Sequence, residues 1–416
     1  MSTPQGMRIL IVGQYFWPEN FRINEVAESL VRAGCTVGVL TGPPNYPDGK
    51  VFAGYAAASF RFERRGGVSI HRVPLVPRGK GSALRLILNY LSFVISACVF
   101  GPWVLRREPY DVVLVYAPGP ILQSIPGLLL GWLKRAPVVT WVQDLWPESL
   151  EATQFVRNKR LLAVVAAGVR WIYRRNDLLL VQSHSFIAPV TALAGNTPVR
   201  YHPNPGELPA EGVPQAEPAL RLRPGFNVVF AGNLGKVQAL DTVLDAAEKT
   251  RDRTDVWWVL IGSGSRAEWV ADEVARRGLA QVILPGRFPV EAMPPILAQA
   301  SVLLVSLVRS PIMSQTVPSK VQAYLAAGRP ILAALDGEGA RVVTEAGAGV
   351  ACPAEDAVAL SEAVLRLKSL PPAELERLGE AGRAYYRRNF DPDVLTRRLL
   401  EGLRRLCSGE GALGAD

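Results

Sequence analysis

Short, continuous runs of apolar and β-branched residues alternate with amphipathic stretches along nearly the whole chain. A strand that is apolar at every position must be buried on both faces, and helices on both sides of a parallel sheet provide that cover. The stretch Arg22–Ala33 is typical of a covering helix. The strands predicted in the first half are Arg8–Gly13, Thr36–Thr41, Val112–Tyr116, Pro137–Val142 and Leu178–Val181. This pattern predicts the α/β class.

A proline-rich segment over residues 203–225 interrupts the alternation. It holds six prolines in 23 residues and has no periodicity, which is typical of a linker. The alternation then resumes, with strands predicted at Asn227–Ala231, Trp257–Ile261, Val282–Leu284, Val302–Val305 and Pro330–Ala334. We therefore predict two doubly wound Rossmann-like domains that face each other across a cleft. The N-terminal domain covers 1–203, the linker 204–225 and the C-terminal domain 226–388, and a helix in 389–416 caps the second domain or crosses back to the first.

Composition excludes several classes of protein. Apolar residues make up 49% of the chain and charged residues 20%, which is enough apolar material for two cores and excludes general disorder. The four cysteines and three histidines have neither disulfide nor metal-ligand spacing, so we expect no metal site and no cofactor. Residues 1–11 lack the pattern of a secretory signal, and a cytoplasmic location is expected.

The positive charge is confined to the first half. Residues 1–200 hold 22 Lys and Arg against 11 Asp and Glu, whereas residues 201–416 hold 24 against 26. A basic face attracts nucleic acid, an anionic membrane or a phosphorylated substrate, although it is also compatible with an ordinary solvated surface. No exposed aromatics interleave with these charges, so nucleic acid is not expected. The concentrated charges are Arg61, Arg64, Arg65, Arg72, Arg78, Lys80 and Arg85.

An unusually apolar helix is predicted over residues 86–100, next to those charges. Its polar residues Asn89, Ser92 and Ser96 form one narrow stripe with Arg85. We expect the helix to break at Gly101–Pro102, which leaves 15 apolar residues against the roughly 20 that cross a bilayer. The segment is therefore either a buried core helix or one that inserts into a single leaflet. The second alternative predicts peripheral attachment through residues 61–100.

Ligands of open α/β sheets bind outside the carboxyl ends of the strands, so the loops after the strands are candidate sites. The loop AGNLGK follows the first strand of the second domain, and its glycines let a phosphate approach the backbone at a helix start. The loop GSGSR after the next strand has the same properties, although either loop by itself is compatible with a plain tight turn. The candidate ligand-binding residues here are Gly232, Asn233, Gly235, Lys236, Gln238, Gly262 and Gly264.

The most distinctive segment is SQTVPSKVQAYLAAGRPIL, over Ser314–Leu332. Pro318 and Ser319 open a helix there and Lys320 lies in its first turn, where the helix dipole disfavours a cation. A ligand phosphate at that helix end would explain the lysine. The alternative is an ordinary exposed lysine.

Two loops of the first domain carry candidate side chains. GQYFWPEN follows the opening strand, and we interpret Trp17, Glu19 and Asn20, together with Arg22, as binding an acceptor, although aromatics before a helix can also be a hydrophobic plug. WVQDLWPES places Asp144 directly after a buried strand, where a carboxylate could orient a sugar hydroxyl, accept its proton or cap a helix.

The chain resembles bacterial glycosyltransferases of family 4, which have the GT-B fold, and in particular the colanic-acid and O-antigen type enzymes (N-acetylfucosaminyl- or fucosyl-transferase-like). The resemblance implies a metal-independent, retaining hexosyltransferase with a UDP- or GDP-sugar donor. It also implies a polyprenyl-diphosphate-linked glycan acceptor at the inner face of the cytoplasmic membrane. The strings that carry it are QYFWPENFRINEVAESL, TGPPNYPDGK, WVQDLWPES, FAGNLGKVQALDTVLDAA, IGSGSR, LPGRFP, VPSKVQAYLAAGRPI and DGEGARVVTEAGAG.

The chain departs from the family pattern in its acidic pair. Many members carry two glutamates separated by seven residues, and those positions are Gln315 and Ala323 in this chain. Glu338 or Glu345 is the candidate substitute.

The cations and the first-domain histidine also differ. The family's Arg and Lys after the first strand of the second domain become Asn233 and Gln238, and its His-Asp becomes Gln143–Asp144. Lys236 and Lys320 are the replacement cations, so Asp144, Lys236 and Lys320 are the predicted catalytic residues. The alternatives are a nucleotide-sugar epimerase of the same fold and a non-catalytic binder of sugar nucleotides.

Overall fold

The computed structural model describes residues 6–79, 82–152, 158–206 and 218–409. These residues form two compact units: the first takes the described residues up to Pro205 and from Pro392 onwards, and the second takes those between. Each unit has its own sheet and its own buried core. The two-domain α/β architecture expected from the alternating pattern is confirmed.

The first unit is built on an eight-stranded sheet of order β3-β4-β2-β1-β5-β6-β7-β8, in which only β3 is antiparallel to its neighbour. Its strands are β1 (Arg8–Val12), β2 (Thr36–Thr41), β3 (Arg61–Arg65), β4 (Val68–Arg72), β5 (Val112–Ala117), β6 (Val138–Val142), β7 (Leu178–Val181) and β8 (Val199–Tyr201). Its helices before residue 206 are α1 (Ile23–Arg32), α2 (Ala83–Val104), α3 (Ser124–Lys134), α4 (Glu148–Ala152), α5 (Lys159–Tyr173) and α6 (Ile187–Ala194).

Alternate residues of each strand face opposite helical layers. In β1, Ile9 and Ile11 pack in the core that contains α1, whereas Leu10 and Val12 pack with α2 and α3. Helix α5 covers the same side of the sheet as α2 and α3, next to β6 and β7. Because the strands other than β3 are parallel, the polar loops that follow them lie at one edge of the sheet.

Two expectations for the basic stretch and the apolar helix are wrong, and one hairpin was not predicted. The helix does not break at Gly101–Pro102 but runs on to Val104, since the close packing of Gly101 against Leu40 and Leu130 offsets the one hydrogen bond that Pro102 cannot donate. Residues 61–72 form the β3–β4 hairpin. A search for apolar runs does not find it, because β3 is an Arg-rich edge strand. Arg72 does not lie on the surface. Its side chain is buried, and its guanidinium pairs with Glu63 at 2.7 Å. Lys80 lies outside the described residues.

The second unit is a six-stranded, all-parallel sheet of order β11-β10-β9-β12-β13-β14. The chain reverses direction across the sheet between β9 and β12, which is where a doubly wound fold binds its ligand. The strands are β9 (Phe226–Ala231), β10 (Val256–Ile261), β11 (Val282–Gly286), β12 (Val302–Ser306), β13 (Ile331–Ala334) and β14 (Gly349–Cys352). The helices are α7 (Leu240–Lys249), α8 (Ala267–Arg277), α9 (Met293–Leu297), α10 (Ser319–Ala327), α11 (Glu338–Glu345), α12 (Ala357–Lys368) and α13 (Pro372–Asn389).

The last helix, α14 (Pro392–Ser408), belongs to the first unit. Leu399, Leu400 and Leu403 of α14 pack in the same core as Val26 and Leu30 of α1. The apolar face of this amphipathic helix is thereby buried.

Candidate active site

The glycine turn after β9 lies against the side chain of Lys320. Gly232 has a φ of +139°, and a Cβ atom at this position would lie 2.6 Å from Lys320 Cε and 3.2 Å from Nζ. Glycine is thus required both for the backbone conformation and for the close approach. The turn and the start of α10 come together, as the sequence predicts for a shared anion site.

The second glycine loop interlocks with the first. A Cβ atom at Gly262 would lie 1.8 Å from Gly232 O, which leaves no space for any side chain. The backbone N–H of Leu234 donates to Ser263 O at 2.8 Å, and that of Arg266 donates to Leu234 O at 2.9 Å. The two loops thus pack tightly against each other at the switch point, and Gly264 also contacts Leu234.

Gln238 does not face solvent but holds the turn after β9 in place. Its side chain Oε1 accepts a hydrogen bond from Gly235 N at 3.0 Å, and its carbonyl accepts one from Ser306 Oγ at 2.7 Å. Because its oxygens bind the protein, we assign Gln238 a positioning role in place of the expected contact with the donor. Asn233 and Lys236 are exposed at the same turn.

Lys320 is not an ordinary surface lysine. Its Nζ is buried, lies 3.5 Å from the centroid of the Phe230 ring and has no hydrogen-bond partner among the described residues. Burial lowers the pKa of this ammonium group to about 7. Ser319, the residue before it, is exposed at the start of α10, and Pro318 supplies no side-chain cap there. An anion at this end of the helix would meet both the lysine and the helix dipole.

Two residues that complete this site have no motif of their own. The Phe230 ring supports the lysine, and Tyr324, one helical turn after Lys320, receives a hydrogen bond from Ala231 N at 2.9 Å. The spacing of four residues between Lys320 and Tyr324 was the available signal, because it places both on one face of α10.

The two glutamates proposed as substitutes lie at opposite ends of α11. Glu338 is buried in the first turn, at the carboxyl end of β13, and pairs with Arg341 at 2.9 Å. Glu345 lies in the last turn, about 10 Å further along the helix, where it accepts a hydrogen bond from Tyr385 Oη at 2.9 Å. Only Glu338 shares the strand-end edge with Lys320.

In the first unit, Glu19 joins two loops. Its carboxylate accepts hydrogen bonds from Asn45 N at 2.8 Å, Tyr46 N at 2.7 Å and Phe16 N at 3.3 Å. Burial raises its pKa to about 7, against the lowering effect of those bonds. All of these contacts are to the protein's own backbone, so the structure supports a bracing role instead of acceptor binding.

The neighbouring acceptor candidates differ in accessibility. Asn20 is exposed, and Trp17 is half-buried under the guanidinium of Arg65, which lies 3.9 Å from its ring centroid. Arg22 is half-buried and pairs with Glu25 at 3.3 Å. The backbone N–H of Trp17 is held by Asn24 at 2.9 Å. The hydrophobic-plug alternative thus fits Trp17 in part, and Asn20 is the most accessible of the four candidates.

Asp144 lies half-buried at the carboxyl end of β6. It accepts hydrogen bonds from Trp146 Nε1 at 3.0 Å and from the hydroxyl of Ser149. Burial raises the pKa of its carboxyl group, while those hydrogen bonds lower it. The carboxylate is therefore held in a fixed orientation at the strand-end edge.

An amide cluster beside Asp144 was not expected from the sequence. Asn204 Nδ2 donates to Gln143 Oε1 and to Gln182 Oε1, both at 2.7 Å, and Gln182 Nε2 donates to Gln143 O at 2.6 Å. Gln143 Nε2 is buried without a partner among the described residues. Only the position of Gln143 and Gln182 after successive strands could have indicated the cluster.

Comparisons with known proteins agree with this division into two units. The family model described as "Glycosyl transferase 4-like domain" matches residues 20–206, and the one described as "Glycosyl transferases group 1" matches residues 225–369. The putative colanic acid biosynthesis glycosyl transferase WcaI of Escherichia coli (strain K12) is 25% identical over 96% of this chain and 100% of its own length. The probable glycosyltransferase WbjE of Pseudomonas aeruginosa is 28% identical over 78% of this chain and 82% of its own length.

Solved structures share the fold at low sequence identity. Sucrose-phosphate synthase from Thermosynechococcus elongatus has a TM-score of 0.66 and 17% identity, over 97% of this chain and 100% of that one. HepE of Anabaena, solved in complex with UDP, has a TM-score of 0.65 and 14% identity, over 96% of this chain and 100% of that one. With both units matched by glycosyl transferase models, the chain belongs to the family 4 glycosyltransferases of the GT-B fold.

Proposed function

We propose that this glycosyltransferase takes a UDP- or GDP-sugar whose diphosphate binds between the Gly232–Lys236 turn and the start of α10. The observation that carries the proposal is the Lys320 ammonium group, which is buried beside the turn with no hydrogen-bond partner in the described chain. The burial of a cation without a hydrogen-bond partner is unfavourable in free energy, and an anionic ligand would offset that free energy. The UDP bound to HepE, a protein of the same fold, supports the same class of donor.

The reaction proposed is transfer of a hexose with retention of configuration. The bond between the anomeric carbon and the diphosphate oxygen breaks, and the acceptor hydroxyl forms the new bond on the same face of the sugar. The hydroxyl proton passes to the departing diphosphate. Lys320 and the exposed Lys236 stabilise the negative charge on the leaving group, which is the part that a metal ion plays in other transferases.

Asp144 is assigned to the sugar that reacts. Its carboxylate is oriented by Trp146 and Ser149, so it can hold a sugar hydroxyl in one position. The acceptor proposed is a polyprenyl-diphosphate-linked surface glycan, and the name of WcaI, a putative colanic acid biosynthesis glycosyl transferase, supports a surface glycan. Such an acceptor lies in the cytoplasmic membrane, and we propose that the enzyme attaches to its inner face.

A panel of nucleoside diphosphates in a thermal-shift assay tests the donor site. A ligand that binds only the folded state raises the melting temperature, so UDP or GDP is expected to raise that of the natural protein and not that of a Lys320→Ala variant. Equal shifts in the two proteins would contradict the assignment.

Transfer assays separate the proposed function from its alternatives. A sugar nucleotide incubated with the enzyme alone is converted by an epimerase but remains largely intact with a transferase. Addition of membrane extract should then yield labelled lipid-linked product. Binding of nucleotide without any transfer would indicate a non-catalytic binding protein.

A further inference from the structure

Helix α2 buries polar residues and exposes a stripe of apolar ones. Asn89 and Ser96 are buried, and Asn89 is hydrogen-bonded to Gln14 at 2.6 Å and to Val76 O at 2.7 Å. An exposed apolar stripe follows the opposite face along the whole helix: Leu84, Ile87, Leu91, Ile95, Val99 and Trp103. A helix that faces water on its outer side has the reverse arrangement. The outer face of α2 therefore fits an apolar medium.

The two helices beside α2 on the same side of the sheet continue this surface. On α3, Trp132 is 75% exposed and Leu133 is exposed next to it, and on α5 Val164 and Trp171 are exposed. On the other side of the sheet, α1 and α14 expose no large apolar side chain within the described residues. The concentration on one side is much larger than the scattered apolar residues of a soluble surface.

Each of these three helices has a tryptophan in its last turn, and arginines follow it. Because α2, α3 and α5 each connect parallel strands, they run in the same direction and end at the same edge of the sheet. The guanidinium of Arg106 lies 5.2 Å from the Trp103 ring centroid, and that of Arg175 lies 4.1 Å from the Trp171 centroid. The further basic residues at this edge are Arg107, Arg135 and Arg174.

We propose that the outer sides of α2, α3 and α5, here called the apolar face, rest in the interfacial layer of a bilayer that contains anionic lipid. Tryptophan prefers the boundary between acyl chains and headgroups, and the arginines beside it would bind lipid phosphates. The inference rests on the proposed function in one respect, since a lipid-linked acceptor requires the enzyme at the membrane. It retains α2 from the attachment region predicted over residues 61–100 and adds α3 and α5, whereas Arg61 and Arg65 of the basic stretch are paired with Glu63 and Glu28.

Two other occupants of the apolar face fit less well. Helix α2 has 22 residues, and its most apolar window of 18 residues has a mean hydropathy of 1.9, enough by length and composition to cross a membrane. However, Phe93 and Ala97 are fully buried, and a Cβ atom at Gly101 would lie 2.9 Å from Leu40, so crossing would strip the helix from its core. A second copy of the chain would bring two rows of arginine together, which like-charge repulsion disfavours.

Sedimentation with lipid vesicles tests the proposal on the full chain, without nucleotide. We expect binding to phosphatidylcholine vesicles with about one third phosphatidylglycerol, and much weaker binding to pure phosphatidylcholine. Replacing Arg107, Arg135 and Arg174 together by Gln should weaken binding on the order of a hundredfold. The matched control replaces Arg253, Arg387 and Arg388, which are exposed on the second unit, and should leave binding unchanged.

The apolar contribution needs its own pair of variants. Trp103→Ser with Trp132→Ser should abolish binding to the anionic vesicles even at low salt, whereas Val290→Ser with Val358→Ser, at exposed positions of the second unit, should not. Gel filtration and circular dichroism of each variant establish that it is folded. Full-length protein that stays in the supernatant with anionic vesicles overturns the proposal. So does a dimer that the tryptophan variant dissociates while vesicle binding is absent.

The UDP thermal shift, measured on the same preparations, keeps the two proposals apart. A tryptophan variant that loses vesicle binding and keeps the UDP shift supports the apolar face as the membrane site. A natural protein that binds vesicles but shows no shift with any nucleoside diphosphate contradicts the donor site alone.

Discussion

The ammonium group of Lys320 lies 3.5 Å from the centroid of the Phe230 ring, and the ring is its principal stabilising neighbour. A cation over an aromatic face gains on the order of 2 kcal/mol when it is desolvated, which offsets only part of the cost of removing an ammonium group from water. Burial lowers the pKa of Lys320 to about 7, because it disfavours the charged form of the amine. Without ligand, this lysine therefore destabilises the second unit.

Replacing Lys320 by Met should stabilise the free protein. Below pH 7 the folded and unfolded states both carry the charge, and the natural protein bears the full cost of burying it. Between about pH 7 and the ordinary lysine pKa, only the unfolded state binds the proton, so the stability of the natural protein rises with pH. The stability gained by Lys320→Met should thus be a few kcal/mol near pH 6.5 and much smaller near pH 9.5. Urea unfolding at the two pH values measures it, and a variant less stable than the natural protein at pH 6.5 would refute the argument.

Nucleoside diphosphate binding should be accompanied by proton uptake above neutral pH. The diphosphate favours the charged form of Lys320, so a lysine that is partly neutral near pH 8 binds a proton together with the ligand. Isothermal titration of UDP or GDP in buffers of different ionisation enthalpy reports the number of protons. We expect a fraction approaching one at about pH 8 and little uptake at about pH 6, and an uptake that does not differ between the two pH values would contradict this prediction.

Gly232→Ala should weaken nucleotide binding at least tenfold, because the new methyl group would displace the Lys320 side chain from its position. Gly278 is the matched control, since its φ is also positive, +63°, but no atom lies within 4 Å of the position of a Cβ. Gly278→Ala should cost about 1 kcal/mol of stability and leave binding unchanged. Similar nucleotide affinities for the two variants would show that the close approach at Gly232 is unimportant.

The strands were predictable because burial on both faces leaves a continuous apolar run, as in Thr36–Thr41 and Leu178–Val181, which match β2 and β7. The edge strand β3 was not, because its RFERR sequence faces solvent and carries no such signal. The predicted end of α2 was wrong for a related reason. A proline predicts a break by itself, whereas the packing of Gly101 against Leu40 and Leu130 is a tertiary effect.

The candidate site was predictable where the backbone conformation imposes a residue type. Gly232, Gly262 and the helix start at Ser319 are examples, because turns and helix termini restrict the sequence. Side-chain partners are not restricted in this way. The bond from Gly235 N to Gln238 and the burial of Lys320 on Phe230 arise from the packing of separate segments, which no local pattern encodes.

Glu19→Ala should destabilise the first unit by about 3 kcal/mol, because it leaves the buried N–H group of Asn45 and the partly buried one of Tyr46 without an acceptor. Asn20→Ala, at the exposed neighbouring position, should change stability by less than about 0.5 kcal/mol. Thermal unfolding of both variants, with UDP present to saturate the second unit, measures the difference. If Glu19 binds acceptor instead of bracing the loops, its variant will retain stability and lose only transfer.

Asp144→Asn separates a role in the reaction from a role in the loop. An asparagine can accept the Trp146 Nε1 hydrogen bond with its Oδ1 and donate from its Nδ2 to the hydroxyl oxygen of Ser149, so we expect the fold and the nucleotide thermal shift to be preserved. It lacks the negative charge, and if Asp144 orients the reacting sugar, kcat should fall about a hundredfold or more. Ser149→Ala, which removes one of the two orienting bonds and keeps the carboxylate, should fall between this variant and the natural enzyme. An unchanged kcat in Asp144→Asn would mean that the carboxylate only braces the loop after β6, and the acidic group of the reaction would then have to be sought at Glu338.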